Sequence, residues 1–417
     1  MRALLSTIGS RGDVQPLVAL ALQLRALGHD ARFCVPPDFR GWIEGLGFAV
    51  TPIGPELRAL TAAKAPVAAA ALPPPVPLSV ERRKELAAAS VAAQFATITA
   101  AADGCDIVVG ATALQIAARS VAEIQGVPYV FVAYAPNVLP SSRHAPPVLG
   151  MAGETPSTDA SEFDALWARS AVRFNETFGD ALNAHRATLG LAPVREVGRH
   201  VYTDRPWLAA DAALAPWPDE TDESVFQSGA WIVPDDAPLD DALEAFLASG
   251  DPPVYFGFGS MRAPPDLARV MIDAARAQGR RAIVSRGWAD LALVDDAGDT
   301  IAIGEVNQHA LFPRVAAVVH HGGAGTTTAA ALCGAPQVTI PQMYDQHFWA
   351  QRVASLGIGA AHAPGAPSAE SLTRALAHAL APAAAGRART LAAGMRRDGA
   401  TIAARRLVSM VATGGRA

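Results

Sequence analysis

Residues 315–330 read VAAVVHHGGAGTTTAA, an apolar run that ends in two histidines and passes through glycines into a threonine- and alanine-rich stretch. The apolar run is a buried strand, and a glycine turn opening a helix directly after it is half of a strand–helix–strand unit. Such a turn is also a ready anion site, because free backbone N–H groups and roughly half a positive charge at the helix start face it. Glycines let the backbone come close to a ligand, and Thr326 and Thr327 add hydroxyls or cap the helix. A histidine beside an anion donates a hydrogen bond whether neutral or charged. A plainer reading fits the same residues: His320 and His321 are half-buried and satisfied, and the glycines only make a tight turn.

The alternation continues on both sides. PPVYFGFGS (252–260), RRAIVS (280–285) and DTIAIG (299–304) read as strands upstream, with a helix at 265–278. A helix at 326–333, the strand PQVTIP (336–341) and a helix at 346–356 follow downstream. The first third of the chain has the same rhythm: a strand from Arg2 to Ser6, a turn at 9–13, an amphipathic helix over 14–28 closed by Gly28, and the strand ARFCVPP (31–37). CDIVVG (105–110), a helix over 113–125 and VPYVFVA (127–133) extend it. Strand–helix–strand order implies right-handed crossovers and parallel sheets, so the expected class is α/β with two doubly wound halves. The expected division is a first domain over 1–214, a proline- and acid-rich linker over 215–239 and a second domain over 240–395. A last helix within 396–417 is expected to cross back to the first domain. Irregular stretches at 51–80 and 134–160 have the length of functional loops.

At 417 residues, 51% hydrophobic and 18% charged, the chain can fill two cores and is too apolar for disorder. A net charge of −5 disfavours nucleic acid as a partner. Cys34, Cys105 and Cys333 are far apart, without metal-like spacing, which suits a reducing cytoplasm. The apolar start is cut short by Gly9-Ser10-Arg11-Gly12-Asp13, so no signal peptide is expected. The prolines of APVAAAALPPPVP (65–77) exclude a spanning helix there, and a soluble, cytoplasmic protein without a transmembrane segment is expected. The pattern GxxxxGK[ST] is missing, and the turn after the first strand lacks the GxGxxG of a nicotinamide enzyme. There is also no Asp-x-Asp pair to bridge a metal to a diphosphate.

HHGGAGTT (320–327), with FGFGSM (256–261) before it and PQMYDQHFWAQRV (341–353) after it, resembles the donor-binding half of family 1 glycosyltransferases with the GT-B fold. STIGSRGDVQP (6–16), SRGWADL (285–291) and GEVNQHALF (304–312) sharpen the likeness toward bacterial antibiotic glycosyltransferases of the vancomycin group. It extends over nearly the whole chain, through YTDRPWLAADAALAP (202–216) and SGAWIVP (228–234).

The resemblance implies a dTDP- or UDP-linked sugar in the second domain and an aglycone hydroxyl that approaches from the first, attacking the anomeric carbon in one step with inversion. It implies His321, Gly323, Gly325 and Thr326 at the diphosphate, with Ser260 opposite. His320, pointing the other way along the strand, is expected in a packed or interdomain position. No metal or other cofactor is expected, because the helix start and His321 would stand in for a divalent cation. Asp345 and Gln346 fall where the family holds sugar hydroxyls, though either could instead cap helix 346–356. Glu305 stands where the plant-type motif has a stacking tryptophan. Trp288, next but one to Arg286 in SRGW, is the substitute or else a core or cleft-wall residue, and the backbone around Val306 and Asn307 would read the base edge. Asp13 reads on residue type as the N-cap of helix 14–28. Together with Pro16 it matches the vancomycin-type subgroup, which implies that it is the general base at the carboxyl end of the first strand. Rival readings are a sterol or lipid glucosyltransferase, a same-fold nucleotide-sugar epimerase and a non-catalytic nucleotide-sugar binding module. The long loops favour an acceptor pocket.

Overall fold

In a computed structural model that describes residues 1–61, 79–112, 114–148, 155–219, 221–259, 266–288, 290–295 and 297–414, the first strand is Arg2–Thr7 (β1). It is apolar on both faces, as a strand covered on both sides must be. Leu4 packs with Val108 and Phe131 on one side, while Ala3 and Leu5 pack with Val109 and Val132 on the other. Asp30–Val35 (β2), Ala49–Pro52 (β3), Ile107–Ala111 (β4), Tyr129–Ala133 (β5), Trp207–Leu208 (β6) and Phe226–Gln227 (β7) complete a seven-stranded parallel sheet of order β3-β2-β1-β4-β5-β6-β7. Val254–Gly257 (β8), Ala282–Ser285 (β9), Thr300–Ile303 (β10), Ala317–His320 (β11), Gln337–Thr339 (β12) and Gly359–Ala361 (β13) form a second sheet of order β10-β9-β8-β11-β12-β13.

Both sheets reverse their strand order beside their first strand, between β1 and β4 and between β8 and β11. Ligands of open α/β sheets bind outside the carboxyl ends at such points. Here the two points line a common cavity. The fold is GT-B: two parallel-sheet α/β halves facing a cleft.

Several elements differ in detail from the sequence expectation. The helix after β1 is Arg11–Ala26, three residues earlier than the periodicity suggests, because Ser10 occupies the N-cap. The helix expected over 113–125 begins only at Ala118. The chain leaves β4 through Thr112, whose φ of 74° cannot open a right-handed helix. The stretch 215–239 is not all linker, since β7 lies inside it and pairs with β6 in the first sheet. A two-residue strand is too short to show any period. The 26-residue helix Phe163–Thr188 has no counterpart in the sequence reading. Ser260 and the loop 65–77 lie outside the described residues.

Helix Gly399–Ala412 packs on helix Arg11–Ala26 through Ala400, Ala403, Ala404 and Leu407. Thr401 Oγ1 donates to Gln23 Oε1 across that contact at 2.9 Å. Gly399 sits against Gly229 with no room for a Cβ, so the return of the chain is tightly fitted. Among the described residues one helix, Val80–Ala102, is long and apolar enough by composition to cross a membrane. Its Val91, Phe95 and Ile98 are buried in the first domain's core.

Candidate active site

The turn after β11 separates the two histidines. His320, fully buried, places Nε2 2.9 Å from Gln337 Oε1, and its Nδ1 accepts the Gly322 N–H at 3.1 Å. That pattern puts the ring proton on Nε2. Burial pushes its pKa down to about 3, with His321 adding to the shift, so the ring is neutral. Gln337 Nε2 in turn donates to Thr327 O, tying strand to helix. His320 is a structural rivet.

His321 points into the cavity. Its Nδ1 is buried without a hydrogen-bond partner, and burial lowers its pKa to about 4. A neutral imidazole still has one N–H to give. Gly322 has φ of 88°, and a Cβ there would meet Gln346 O at 3.0 Å. Gly323 is the N-cap of helix Ala324–Leu332 and brings no capping side chain. A Cβ on Gly323 would reach 2.6 Å from His321 Nε2. Gly325 and Thr326 also line the cavity, while Thr327 Oγ1 bonds back to Gly323 O at 2.9 Å. The uncapped start of the helix, His321 and Thr326 thus line one part of the cavity.

The turn after β1 is built differently. Asp13 lies at the third position of its helix, and its Oδ2 accepts the Ser10 N–H at 2.7 Å and the Ser10 hydroxyl at 3.2 Å. It is the partner of the N-cap rather than the N-cap itself. A Cβ on Gly9 would collide with the Asp13 carboxyl, so glycine is required there. Tyr134 OH donates to Asp13 O at 3.0 Å and steadies the turn from β5. Burial raises the Asp13 pKa to about 6 against the lowering effect of the Ser10 hydrogen bonds. Asp13 also lines the cavity.

Asp345 precedes helix Gln346–Ser355 but makes no capping bond; its Oδ2 accepts the Trp349 Nε1 proton at 3.0 Å. Burial raises its pKa to about 7, and the Asp13 charge adds to the rise. Gln346 Oε1 accepts the Gln342 and Met343 N–H groups at 2.8 and 3.2 Å, which shapes the loop before the helix. Tyr344 in that loop has φ of 56°, and its N–H donates to Val148 O of the first domain at 2.7 Å.

At the far end of the second sheet, Arg286 is exposed and Val306 half-buried, both on the cavity wall. Trp288 stacks on Phe39 of the first domain with ring centroids 6.4 Å apart. Asn307 caps its own helix through Ala310 N and donates to Asp235 O and Ala237 O in the connection between sheets. Glu305 pairs with Arg11 across the cleft at 2.5 Å, and Arg11 lies over the Trp42 ring at 4.6 Å. That bridge and Tyr134 were not anticipated from sequence, although Arg11 sits inside the quoted STIGSRGDVQP.

The cavity measures about 1690 Å³. A site for one small ligand is usually about 300–1,000 Å³, so there is room for two reactants. Among the described residues no group of three or more His, Cys, Asp and Glu is disposed to hold a metal ion.

Two family models match the chain: Glycosyltransferase family 28 N-terminal domain over residues 3–141, and Erythromycin biosynthesis protein CIII-like, C-terminal domain, over residues 282–405. The chain is 49% identical over 413 residues to the vancomycin aglycone glucosyltransferase of Amycolatopsis orientalis, spanning 99% of this chain and 98% of that one. It is 44% identical over 399 residues to the dTDP-epi-vancosaminyltransferase of the same organism, 94% of this chain and 93% of that one. Solved structures share the fold at lower identity. The glycosyltransferase VinC in complex with dTDP matches with a TM-score of 0.65 and 21% identity over 99% of this chain and 100% of its own. The glycosyltransferase of kitacinnamycin matches with a TM-score of 0.71 and 19% identity over 98% of each chain.

Proposed function

The chain belongs to the vancomycin-group antibiotic glycosyltransferases, and from that premise we propose that it transfers a sugar, with inversion, from a dTDP- or UDP-sugar to a hydroxyl of a natural-product aglycone. In this reading the acceptor hydroxyl attacks the anomeric carbon while Asp13 takes its proton. The bond from that carbon to the diphosphate oxygen breaks, and the nucleoside diphosphate leaves with the electron pair. Asp13 suits the task at neutral pH, since a carboxyl with pKa about 6 is ionised at pH 7 yet basic enough to hold a proton. The growing charge on the diphosphate would meet the uncapped N–H groups at Gly325 and Thr326, the Thr326 hydroxyl and the His321 N–H. Asp345 and Gln346 would face the sugar hydroxyls. Arg286, Trp288 and Val306 would border the nucleotide, and Ser260 would lie opposite the diphosphate. No metal is required, because these donors replace the cation.

One observation carries the reading: a half-buried carboxylate with a raised pKa and an uncapped helix start line the same cavity from opposite domains. The test is incubation with dTDP- and UDP-sugars and an aglycone panel, read by mass spectrometry and by the anomeric coupling constant of the product. A product heavier by one sugar, of inverted configuration and formed equally well with chelator present, is expected. An isomerised donor without transfer would identify an epimerase. Inactivation by chelator that magnesium or manganese reverses would remove the cation-free mechanism.

A further inference from the structure

The first-domain wall of the cavity is strongly one-sided in charge. Its described residues include one carboxylate, Asp13, against Arg11, Arg58, Arg83, Arg169 and Arg173. Arg11 is engaged by Glu305, and Arg58 and Arg83 also have partners of their own. Arg169 and Arg173 stand one turn apart on helix Phe163–Thr188, both exposed, on the stripe that also brings Leu166, Phe174 and Phe178 to the cavity. Like charges four residues apart on a helix repel and weaken it slightly. Of the other acids on or beside this helix, Asp164 and Glu176 do not line the cavity, Asp180 pairs with Lys84, and Glu162 accepts from Ser157.

This helix spends little of its surface on the core. Of its 26 residues only Phe163, Leu182 and Arg186 are buried. Phe174 and Phe178 meet edge to face at 5.0 Å and offer an aromatic surface beside the two guanidinium groups. A planar guanidinium fork receives a carboxylate through two parallel hydrogen bonds, while an apolar strip next to it holds a hydrophobic body.

We propose that this wall selects aglycones bearing a carboxylate or similar anion on an aromatic or apolar body, with Arg169 and Arg173 as the specificity-determining contacts. The proposal rests on reading the first-domain half as the acceptor site. The charge layout also orients the acceptor. An anionic group is drawn to the arginines and repelled by Asp13, so a neutral hydroxyl elsewhere on the same molecule is the part left to meet the base.

The test uses the whole chain and phenolic aglycones, each supplied as the free carboxylic acid and as its methyl ester. Equilibrium binding is read by fluorescence titration, and sugar transfer is scored separately by mass spectrometry. The native chain should bind the acids about tenfold more tightly than the esters, with a preference that shrinks as salt is raised. Arg169→Gln with Arg173→Gln should abolish the preference and leave nucleoside diphosphate affinity unchanged. Glutamine is nearly as good a helix former as arginine, so this variant keeps the fold. The corresponding double lysine variant should retain part of the preference, since it keeps the charge and loses the fork. Equal binding of acid and ester by the native chain overturns the proposal, as does a preference that survives the glutamine substitutions. Acids bound with the expected preference but glycosylated from no dTDP- or UDP-sugar would count against the glycosyltransfer reading and leave the arginine assignment standing.

Discussion

Two helix starts line the cavity, each at the carboxyl end of a strand where a parallel sheet reverses its order, and they are finished in opposite ways. After β1, the Asp13 carboxylate accepts the Ser10 N–H, so the helix start is answered from within the chain. After β11, the N-cap is Gly323 with no side chain to offer, and the first-turn N–H groups are left for an outside partner. The helix dipole would favour an ionised Asp13, yet burial outweighs it and lifts the pKa to about 6. One fold position therefore yields two chemistries. A self-capped start holds a carboxylate tuned toward proton transfer, and an open start is shaped for an anion.

Asp13→Asn strikes at the first half of that contrast. The asparagine carbonyl can still accept from Ser10, so the turn and the fold should persist. Turnover should fall by roughly a hundredfold or more, with nucleoside diphosphate affinity nearly intact. Steady-state kinetics beside calorimetric titration separates the two effects. Normal turnover in the variant would reduce Asp13 to a capping residue.

His321→Ala tests the open start. A hydrogen bond to a charged phosphate contributes about 1.5–3 kcal/mol, so affinity for the nucleoside diphosphate should drop roughly ten- to a hundredfold. His320→Ala should instead lower the melting temperature, because Gln337 Oε1 and the Gly322 N–H lose their buried partner, while affinity changes less. Equal losses of affinity in the two variants would mean that both rings serve the anion.

The contrast between the histidines was legible in the sequence, because strand side chains alternate and only one of the pair adjoins the glycines. The two sheets were legible for a related reason: β1, β4, β8 and β11 are short apolar runs, each followed by a turn. Less was visible where burial is shared with a cavity. Helix Phe163–Thr188 has only Phe163, Leu182 and Arg186 buried, so its apolar stripe competes with charges and shows no clear period. The strand Phe226–Gln227 is too short to have one. The role of Asp345 was only half legible. The resemblance implied a sugar contact and its position before a helix suggested a cap; the side chain accepts instead from Trp349 Nε1, four residues on.

Asp345 ties the two helix starts together through pH. Its pKa of about 7 is well above that of an ordinary aspartate in an unfolded chain, with burial as the main cause and the Asp13 charge as a contributor. A carboxyl whose pKa is higher in the folded state holds its proton more tightly when folded. Its stabilising contribution is therefore complete below about pH 4 and is lost as pH rises through about 7. Asp13 adds to the same trend up to about pH 6. Asp345→Asn removes the later part of the loss, and the amide oxygen can still accept from Trp349. The variant's melting temperature, relative to the native chain, should be higher at pH 8 than at pH 5 by a few degrees. Activity below pH 7 should keep its rise near pH 6, because Asp13 loses its proton while Asp345 is still largely neutral. Melting curves from pH 4 to 8 on both proteins decide the matter. A difference that stays constant with pH would mean that Asp345 is already ionised across the range, and the second helix start would then face a permanent negative charge from its own domain, which is the arrangement an anion site avoids.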